Sequence, residues 1–411
     1  MPQAASTGRD GHQIRLLEGS REYFPALIAA MNRARSEVRL ETYIFDFSGD
    51  GALVAEALIQ AAQRGVATWV VVDGVGTGPL PALWRERFKD AGVQWRIYSP
   101  LGRLGLLIPS RWRRLHRKLC VVDGRLAFCG GINILDDFHD PQHGKLSHPR
   151  LDFAVRASGA LVLQAHAATG QLWWRIQAVR NVRRRNFPQA LSTLREAGLT
   201  LPWNRDDAGV ERDDRLVAHA SLVLRDNVLN RSKIERAYRK AIGSAREEII
   251  IANAYFLPGR KLRLALIHAA RRGVKVRLLL QGRYEYFMQF HATRPVYGAL
   301  MAAGVEIHEY TASFLHAKVA VIDASGDRPW ATVGSSNLDP LSLLLAREAN
   351  VVVEDAHFAS VLRSRLLQAM AHESRAVDVA DYANRPLHQR IKERIALGLL
   401  RFGLFLTGKR Y

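Results

Sequence analysis

Apolar residues recur with alternating helix-like and strand-like spacing through the first quarter of the chain. A helical pattern at 23–35 precedes a strand pattern at 38–45, and the next helix ends at Gly65, a residue type that commonly terminates helices. A strongly apolar strand at 69–73 follows, and a third helix leads into a strand at 94–98. Strands that alternate with helices in this way predict α/β units with a mostly parallel sheet.

The same pattern returns about two hundred residues later, so the chain contains an internal duplication. Residues 266–274 match 58–66 at an offset of 208, and residues 303–305 match 91–93 at an offset of 212. We therefore expect an α/β fold of two pseudo-symmetric halves, with mixed, mostly parallel sheets flanked by helices. Corresponding segments of the two halves should face each other across a seam.

Composition divides the chain into four parts. The first half is predicted to span 1–182, a polar linker with two prolines spans 183–215, and the second half spans 216–385. The remaining segment, 386–411, has an apolar helical stripe accompanied by basic residues. The stripe comprises Ile391, Ile395, Leu399, Phe402 and Leu406. A buried terminal helix fits this pattern, and so does an amphipathic tail lying in the plane of a membrane, which the basic charge favours.

Each half contains one copy of the spacing His-x-Lys-x4-Asp, followed by a turn that ends in asparagine. The copies comprise His116, Lys118, Asp123 and Asn133, and then His316, Lys318, Asp323 and Asn337. Residues two apart on a strand share a face, so the histidine and lysine of each copy should point into a common site. The aspartate, seven residues after the histidine, should anchor the strand from behind. The candidate catalytic residues are the histidine, lysine and aspartate of both copies.

Two histidines, two lysines and two asparagines suit attack on a phosphodiester. One imidazole can attack phosphorus while the other protonates the leaving alkoxide, and the resulting phosphohistidine can pass its group to another alcohol or to water. The candidate phosphate ligands, which donate hydrogen bonds to anionic oxygens, are Lys118, Asn133, Lys318 and Asn337. Each imidazole needs an acceptor at its far nitrogen, and Asp152 and Glu348 are the candidates. No carboxylate cluster accompanies the motifs, so we expect neither a metal ion nor a cofactor.

A net charge of +20 and a pI near 10.5 predict a polyanionic partner, either nucleic acid or an anionic membrane. The offset between the halves falls to 200 at the motifs, which places about twelve extra residues within 99–114. Leucines and arginines alternate there, so we expect a lipid-facing lid rather than an ordinary covering loop. The chain shows neither a signal-peptide pattern nor an apolar run near the ~20 residues of a spanning helix, and we expect it on the cytoplasmic side.

The paired motifs resemble those of the phospholipase D superfamily over about residues 12–370 and, within it, the short bacterial cardiolipin synthases that do not span the membrane. The most specific segments are 253–258, 313–318 and 334–340. The resemblance implies that His116 is the nucleophile, that His316 is the general acid and base, and that Asp152 and Glu348 orient these histidines. One departure is the 130–133 turn, which lacks the serine of the second copy and so removes a hydroxyl donor from one half.

The resemblance implies transfer of a phosphatidyl group from one phosphatidylglycerol to another through a phosphohistidine. The expected partners are anionic phospholipids and the cytoplasmic face of a bacterial inner membrane, with the protein bound peripherally. Nucleic acid is not expected, because its grooves favour aromatic and basic residues over an apolar lid and tail. The alternatives are a phosphodiesterase that hydrolyses DNA, RNA or phospholipid, and a non-catalytic lipid-binding scaffold. The exact lipids and the oligomeric state stay open.

Overall fold

A computed structural model describes residues 12–102, 109–140, 143–183, 192, 217–225, 230, 232–283, 287–339 and 346–406. The central part of the predicted lid, most of the predicted linker and the end of the predicted tail lie outside these ranges. The division of the chain at 183–215 therefore stays a prediction.

The strands of the first half carry the first motif between them. They are β1 (His12–Glu18), β2 (Glu37–Thr42), β3 (Ala67–Asp73), β4 (Gln94–Tyr98), β5 (Arg114–Leu115), β6 (Lys118–Val122), β7 (Leu126–Gly130), β8 (His139–Asp140), β9 (Gly144–Lys145) and β10 (Phe153–Ser158). The helices are α1 (Gly19–Arg33), α2 (Gly49–Gln63), α3 (Ala82–Ala91) and α4 (Ala160–Arg183), with a 3₁₀ turn at Pro109–Trp112.

The second half repeats this order. Its strands are β11 (Val217–Arg225), β12 (Glu248–Asn253), β13 (Lys275–Gln281), β14 (Glu306–Tyr310), β15 (Lys318–Ile322), β16 (Trp330–Gly334), β17 (Ala346–Glu354) and β18 (Ser374–Ala376). Its helices are α5 (Lys233–Ser244), α6 (Arg260–Arg271), α7 (Phe287–Met301), α8 (Ala356–His372), α9 (Val379–Ala383) and α10 (Leu387–Leu406).

One continuous sheet runs through both halves. Its order in the first half is β4-β3-β2-β6-β7-β10-β1, and in the second it is β14-β13-β12-β15-β16-β17-β11, with β18 added outside β14. The halves join where β1 pairs antiparallel with β11. The predicted pseudo-twofold α/β fold is therefore confirmed, and its axis passes between β1 and β11.

The expectation of mostly parallel sheets is wrong in detail, because antiparallel pairs outnumber parallel ones among the described strands. Parallel pairing is found within β2-β3-β4 and within β12-β13-β14, where helices connect the strands. From each motif strand to the centre of the sheet the neighbours are antiparallel. Each motif strand returns directly in a hairpin, and a short turn can join only antiparallel strands, which accounts for the β6–β7 and β15–β16 pairs.

The hydrophobic core is continuous across the seam. One buried cluster combines residues of both halves, among them Leu119, Val155, Val319 and Val351. Two further clusters each fill the opposite side of one half's sheet. Since neither half buries the shared cluster alone, the packing fixes the two motif strands relative to each other.

Candidate active site

The backbone crosses the seam at each motif histidine. Strand β5, directly before His116, pairs in parallel with the start of β17, and the His116 N–H donates to the Arg347 carbonyl at 3.0 Å. The second half has the corresponding contacts to the first. Leu315 forms a parallel bridge with Leu151, and the His316 N–H donates to the Leu151 carbonyl at 2.9 Å. Each histidine is thus held by the backbone residue that directly precedes the other half's carboxylate, Arg347 before Glu348 and Leu151 before Asp152.

The two histidines are oriented by carboxylates of the opposite halves. His116 Nδ1 lies 3.1 Å from both Glu348 oxygens, and His316 Nδ1 lies 2.6 Å from Asp152 Oδ2. The sequence named these acceptors without assigning their partners, and the structure pairs them across the seam. With Nδ1 held in this way, Nε2 is the nitrogen that each ring presents for reaction.

Both motif lysines are almost fully buried in the same site. The Lys118 Nζ donates to the His116 carbonyl at 2.7 Å, and the Lys318 Nζ makes the corresponding bond to the His316 carbonyl. Burial and the charge of Lys318 lower the pKa of Lys118 to about 7. A phosphate anion bound between the two ammonium groups would relieve this repulsion and stabilise both charges.

The two histidine–carboxylate pairs differ in the pKa shifts of their members. Burial lowers the pKa of His116, and burial with the neighbouring lysine charges takes the pKa of His316 well below its ordinary value. Burial raises the pKa of Asp152 to about 7. Burial also acts to raise the pKa of Glu348, but the contact with His116 and the charges of Lys118 and Arg225 together outweigh it, and the pKa lies below its ordinary value. Both rings are therefore neutral near pH 7, the form that attacks phosphorus or accepts a proton.

The two asparagines sit just beyond the return strands and are buried. The carbonyl oxygen of the Asn133 side chain accepts from the Ile44 N–H at 3.1 Å. Asn133 follows Gly130, which is opposite Lys118 in the β6–β7 ladder. The register therefore brings the asparagine back to the lysine end of the hairpin, and Asn337 has the corresponding position after β16.

The two aspartates of the motifs lie outside this site, which corrects their place in the candidate catalytic set. Each follows the last residue of its motif strand, with φ of 53° at Asp123 and 47° at Asp323. Asp123 accepts from the N–H groups of residues 35–37, and Asp323 accepts from those of residues 246–248. Seven residues of extended chain separate them from the histidines by about 20 Å. They anchor the hairpin as expected, but from a turn and not from the back of a strand.

Two positioning residues were missed in the sequence. Asp73 accepts from the Leu115 N–H at 2.7 Å and pairs with Arg114 at 3.0 Å, while Gln281 accepts from the Leu315 N–H at 3.2 Å. Asp73 is the last residue of β3 and Gln281 is the last residue of the equivalent strand β13. The two positions are related by the same offset of 208 that aligns the halves. That offset was the signal that could have identified them.

Glycine and serine occupy equivalent positions beside the two carboxylates. Ser335 donates its hydroxyl to Glu348 at 2.5 Å. At Gly131, the matching position, a Cβ atom would lie only 2.2 Å from Asp152 Oδ1. The absence of serine from the 130–133 turn thus leaves room for the buried Asp152 carboxylate. Within the described ranges, no group of three or more His, Cys, Asp and Glu side chains is arranged to hold a metal ion.

Comparison with known proteins agrees with the site's composition. The family described as "Cardiolipin synthase, PLD-like domain" matches residues 27–140 and 238–370. Cardiolipin synthase B of Escherichia coli strain K12 is 37% identical over 97% of this chain and 90% of its own length. The cardiolipin synthase of Alkalihalophilus pseudofirmus is 28% identical over 93% of this chain and 70% of its own length.

A solved structure shares the fold at much lower sequence identity. Phosphatidylserine synthase of Haemophilus influenzae superposes with a TM-score of 0.65 and 12% identity over 95% of this chain and 94% of that one. A protein with only 12% sequence identity to this chain therefore has the same overall fold. With the family match covering more than half of its residues, the chain belongs to the phospholipase D-like family of cardiolipin synthases.

Proposed function

We propose that this protein is a cardiolipin synthase that transfers a phosphatidyl group from one phosphatidylglycerol to another. The observation that carries the proposal is the crossed pair of imidazoles, each held at Nδ1 by a buried carboxylate and accompanied by a buried lysine. This set provides a nucleophile, a proton carrier and two cations for one phosphodiester.

The reaction takes two steps at one phosphorus. In the first, the His116 Nε2 attacks, the bond from phosphorus to the glycerol oxygen breaks, and the His316 Nε2 gives that oxygen a proton. The ring stays neutral because its Nδ1 takes up the proton that the Asp152 carboxyl, with its pKa raised by burial, holds against it. In the second, His316 removes the proton from a hydroxyl of the acceptor lipid, whose oxygen attacks phosphorus and releases His116. Lys118, Lys318, Asn133 and Asn337 stabilise the phosphate oxygens in both steps. One phosphodiester replaces another, so the exchange needs no nucleotide.

The C-terminal helix supports peripheral attachment to an anionic bilayer. On α10, Leu387, Ile391, Ile395 and Leu399 are 48–71% exposed and recur every four residues, so they form one apolar stripe. Ala396 and Leu397 are buried, and α10 packs against α7. The described part of the chain contains no helix that is long and apolar enough to cross a bilayer. We place the protein on the cytoplasmic face of a bacterial inner membrane, with this stripe in the lipid interface.

The membrane contact is tested by changing Ile391, Ile395 and Leu399 together to serine, which leaves the net charge unchanged. Binding to phosphatidylglycerol vesicles should fall at least about tenfold in a flotation assay. The matched control replaces Leu53, Leu83 and Val361, which are equally exposed on other surfaces, and should bind as the parent does. Equal losses in both triple variants would contradict a specific role of α10.

The activity is tested with purified protein and two substrates in parallel. Phosphatidylglycerol vesicles should yield cardiolipin and glycerol, and single-stranded DNA should stay intact. His116→Ala and His316→Ala should each reduce cardiolipin formation by more than about 10⁴-fold, because each ring acts in both steps. Cleavage of DNA without cardiolipin formation would reverse the choice between transferase and nuclease. Near-normal activity in either histidine variant would contradict the two-histidine mechanism.

A further inference from the structure

The following inference rests on the proposed function. Cardiolipin synthesis links the phosphodiesters of two lipids through one glycerol. The acceptor phosphatidylglycerol carries its own phosphodiester, which is not the one attacked. In the product, a three-carbon glycerol bridge separates the two anions. The two histidines and two lysines surround only the reacting phosphate, so a second cationic subsite a few ångströms away would stabilise the acceptor.

A cavity at the seam has the composition for this role. Its volume is 510 Å³, and its lining residues are His143, Lys145, Leu146, Ser147, Arg283 and Phe314. The first four belong to the β8–β9 hairpin of the first half and the residues after it, whereas Arg283 and Phe314 belong to the second half. The cavity is thus formed only when the two halves are together.

The walls of the cavity are continuous with the segments that hold His316. Phe314 is two residues before His316 and accepts from the Leu151 N–H at 3.0 Å. Arg283 is two residues after Gln281, which accepts from the Leu315 N–H at 3.2 Å. On the opposite wall, the Ser313 hydroxyl donates to the His148 carbonyl at 2.7 Å, next to Ser147. The cavity walls therefore belong to the same segments that hold the second histidine.

The charges in the cavity favour an anion. Among the described residues, neither Lys145 nor Arg283 takes part in an ion pair within 4.0 Å. The nearby Asp140 carboxylate is already bound by Arg150 at 2.8 Å and by His143 Nδ1 at 3.0 Å. The Arg283 guanidinium lies over the Phe314 ring at 5.5 Å, with the His143 ring 5.0 Å from the same ring. An ammonium and a guanidinium thus flank an aromatic floor.

Among the described residues, the positions near His116 that correspond to Phe314 and Arg283 do not form an equivalent cationic pair. The counterpart of Phe314 is Arg114, whose guanidinium is already paired with Asp73 at 3.0 Å. The counterpart of Arg283, at the offset of 208 that relates Gln281 to Asp73, is the uncharged Val75. The pseudo-twofold is therefore broken at these two described positions, where the His316 side has an arginine over an aromatic ring and the His116 side does not.

We propose that Lys145 and Arg283, at the cavity beside His316, bind the phosphodiester of the acceptor phosphatidylglycerol. The acceptor hydroxyl then approaches from the side of the histidine that takes its proton in the second step. This gives one pseudo-symmetric site separate places for a donor and an acceptor of the same chemical class.

The test compares two acceptors that differ in the phosphate, using long-chain phosphatidylglycerol vesicles as donor for both. One acceptor is dibutanoyl phosphatidylglycerol, which is soluble and gives a mixed-chain cardiolipin. The other is deuterated glycerol, which has the same reacting hydroxyl but no phosphate and gives deuterated phosphatidylglycerol. Mass spectrometry separates the products. In Lys145→Gln/Arg283→Gln, KM for the short-chain lipid should rise roughly 10- to 100-fold, while transfer to glycerol stays within twofold of the parent.

The matched control is Arg236→Gln/Lys240→Gln, which removes two exposed positive charges from α5 and should behave as the parent with both acceptors. An equal fall with both acceptors in the Lys145/Arg283 variant would place these residues at the donor and overturn the proposal. Unchanged transfer to both would overturn it as well, with the proposed function intact. A parent protein that labels phosphatidylglycerol with glycerol but never forms cardiolipin would overturn the proposed function itself.

Discussion

The two halves of the sheet share one backbone plan and differ in the side chains around their histidines. In the first half, the residue between His116 and Lys118 is Arg117, which forms a buried ion pair with Glu41. In the second half, the corresponding residues are Ala317, which directly precedes β15, and Ala252 on β12. The duplication thus retained the main-chain geometry that carries the histidines, while the buried side chains behind them changed their chemistry.

A second difference lies on the reacting side of the strands. The Tyr43 ring is 5.0 Å from the His116 ring and 5.4 Å from the Lys118 ammonium, whereas its counterpart in the second half is Ala254. The His116 side thus has an aromatic ring against its histidine and lysine, whereas the His316 side has the cavity that Lys145 and Arg283 line. Two equivalent histidines can therefore perform different steps, because their surroundings and not their strands differ.

Exchanging the residue types found at Gly131 and Ser335 should give the largest difference in activity between the two halves. Gly131→Ser, which copies the second half, should lower activity by about 10³-fold or more, because its Cβ would displace the Asp152 carboxylate that holds His316. Ser335→Gly, which copies the first half, removes one hydrogen bond to Glu348 and should cost only about tenfold. Cardiolipin formation by both variants measures the difference, and equal losses would contradict the distinct packing of the two carboxylates.

The buried Arg117–Glu41 ion pair can be replaced by alanines, the residues that the second half has at these positions. Arg117→Ala alone should lower the free energy of unfolding by about 3–5 kcal/mol, because it leaves the Glu41 carboxylate buried without its partner. Arg117→Ala/Glu41→Ala removes both charges and should be more stable than the single variant. Urea denaturation followed by circular dichroism measures both. A double variant that loses the sum of the two single losses would show that the pair is not coupled.

The titration of Lys118 should have the smallest of these effects, a change in the affinity for anions with pH. Its pKa of about 7 means that it is charged below that pH and neutral above it, so affinity for an anion should fall as the pH rises past 7. Sulfate, whose charge is constant there, should inhibit competitively, with its inhibition constant rising by up to about tenfold per pH unit. The rise should be shallower in Lys118→Arg, because the guanidinium stays charged through this range, while Asp152, with its raised pKa, still contributes to the slope. An unchanged slope would exclude Lys118 as the titrating group.

The sequence was sufficient to predict the duplicated α/β fold and the composition of the site, because both depend on local periodicity and on spacing within each half. It could not assign the carboxylates to the histidines. That pairing is a contact between residues 232 and 164 positions apart, and either carboxylate could serve either ring until the sheet is assembled. Strand parity could not place Asp123 for a local reason, since the strand ends at Val122 and the next residue turns with φ of 53°.

The most direct test of a single composite site is the pairing of each histidine with the carboxylate of the opposite half. The protein is labelled with ¹⁵N-histidine, and the ring resonances of His116 and His316 are assigned with single glutamine variants. Glu348→Gln should shift the Nδ1 resonance of His116 and leave that of His316 in place, and Asp152→Asn should do the reverse. If each substitution instead shifts only the histidine of its own half, the two halves hold separate sites and the composite site is contradicted.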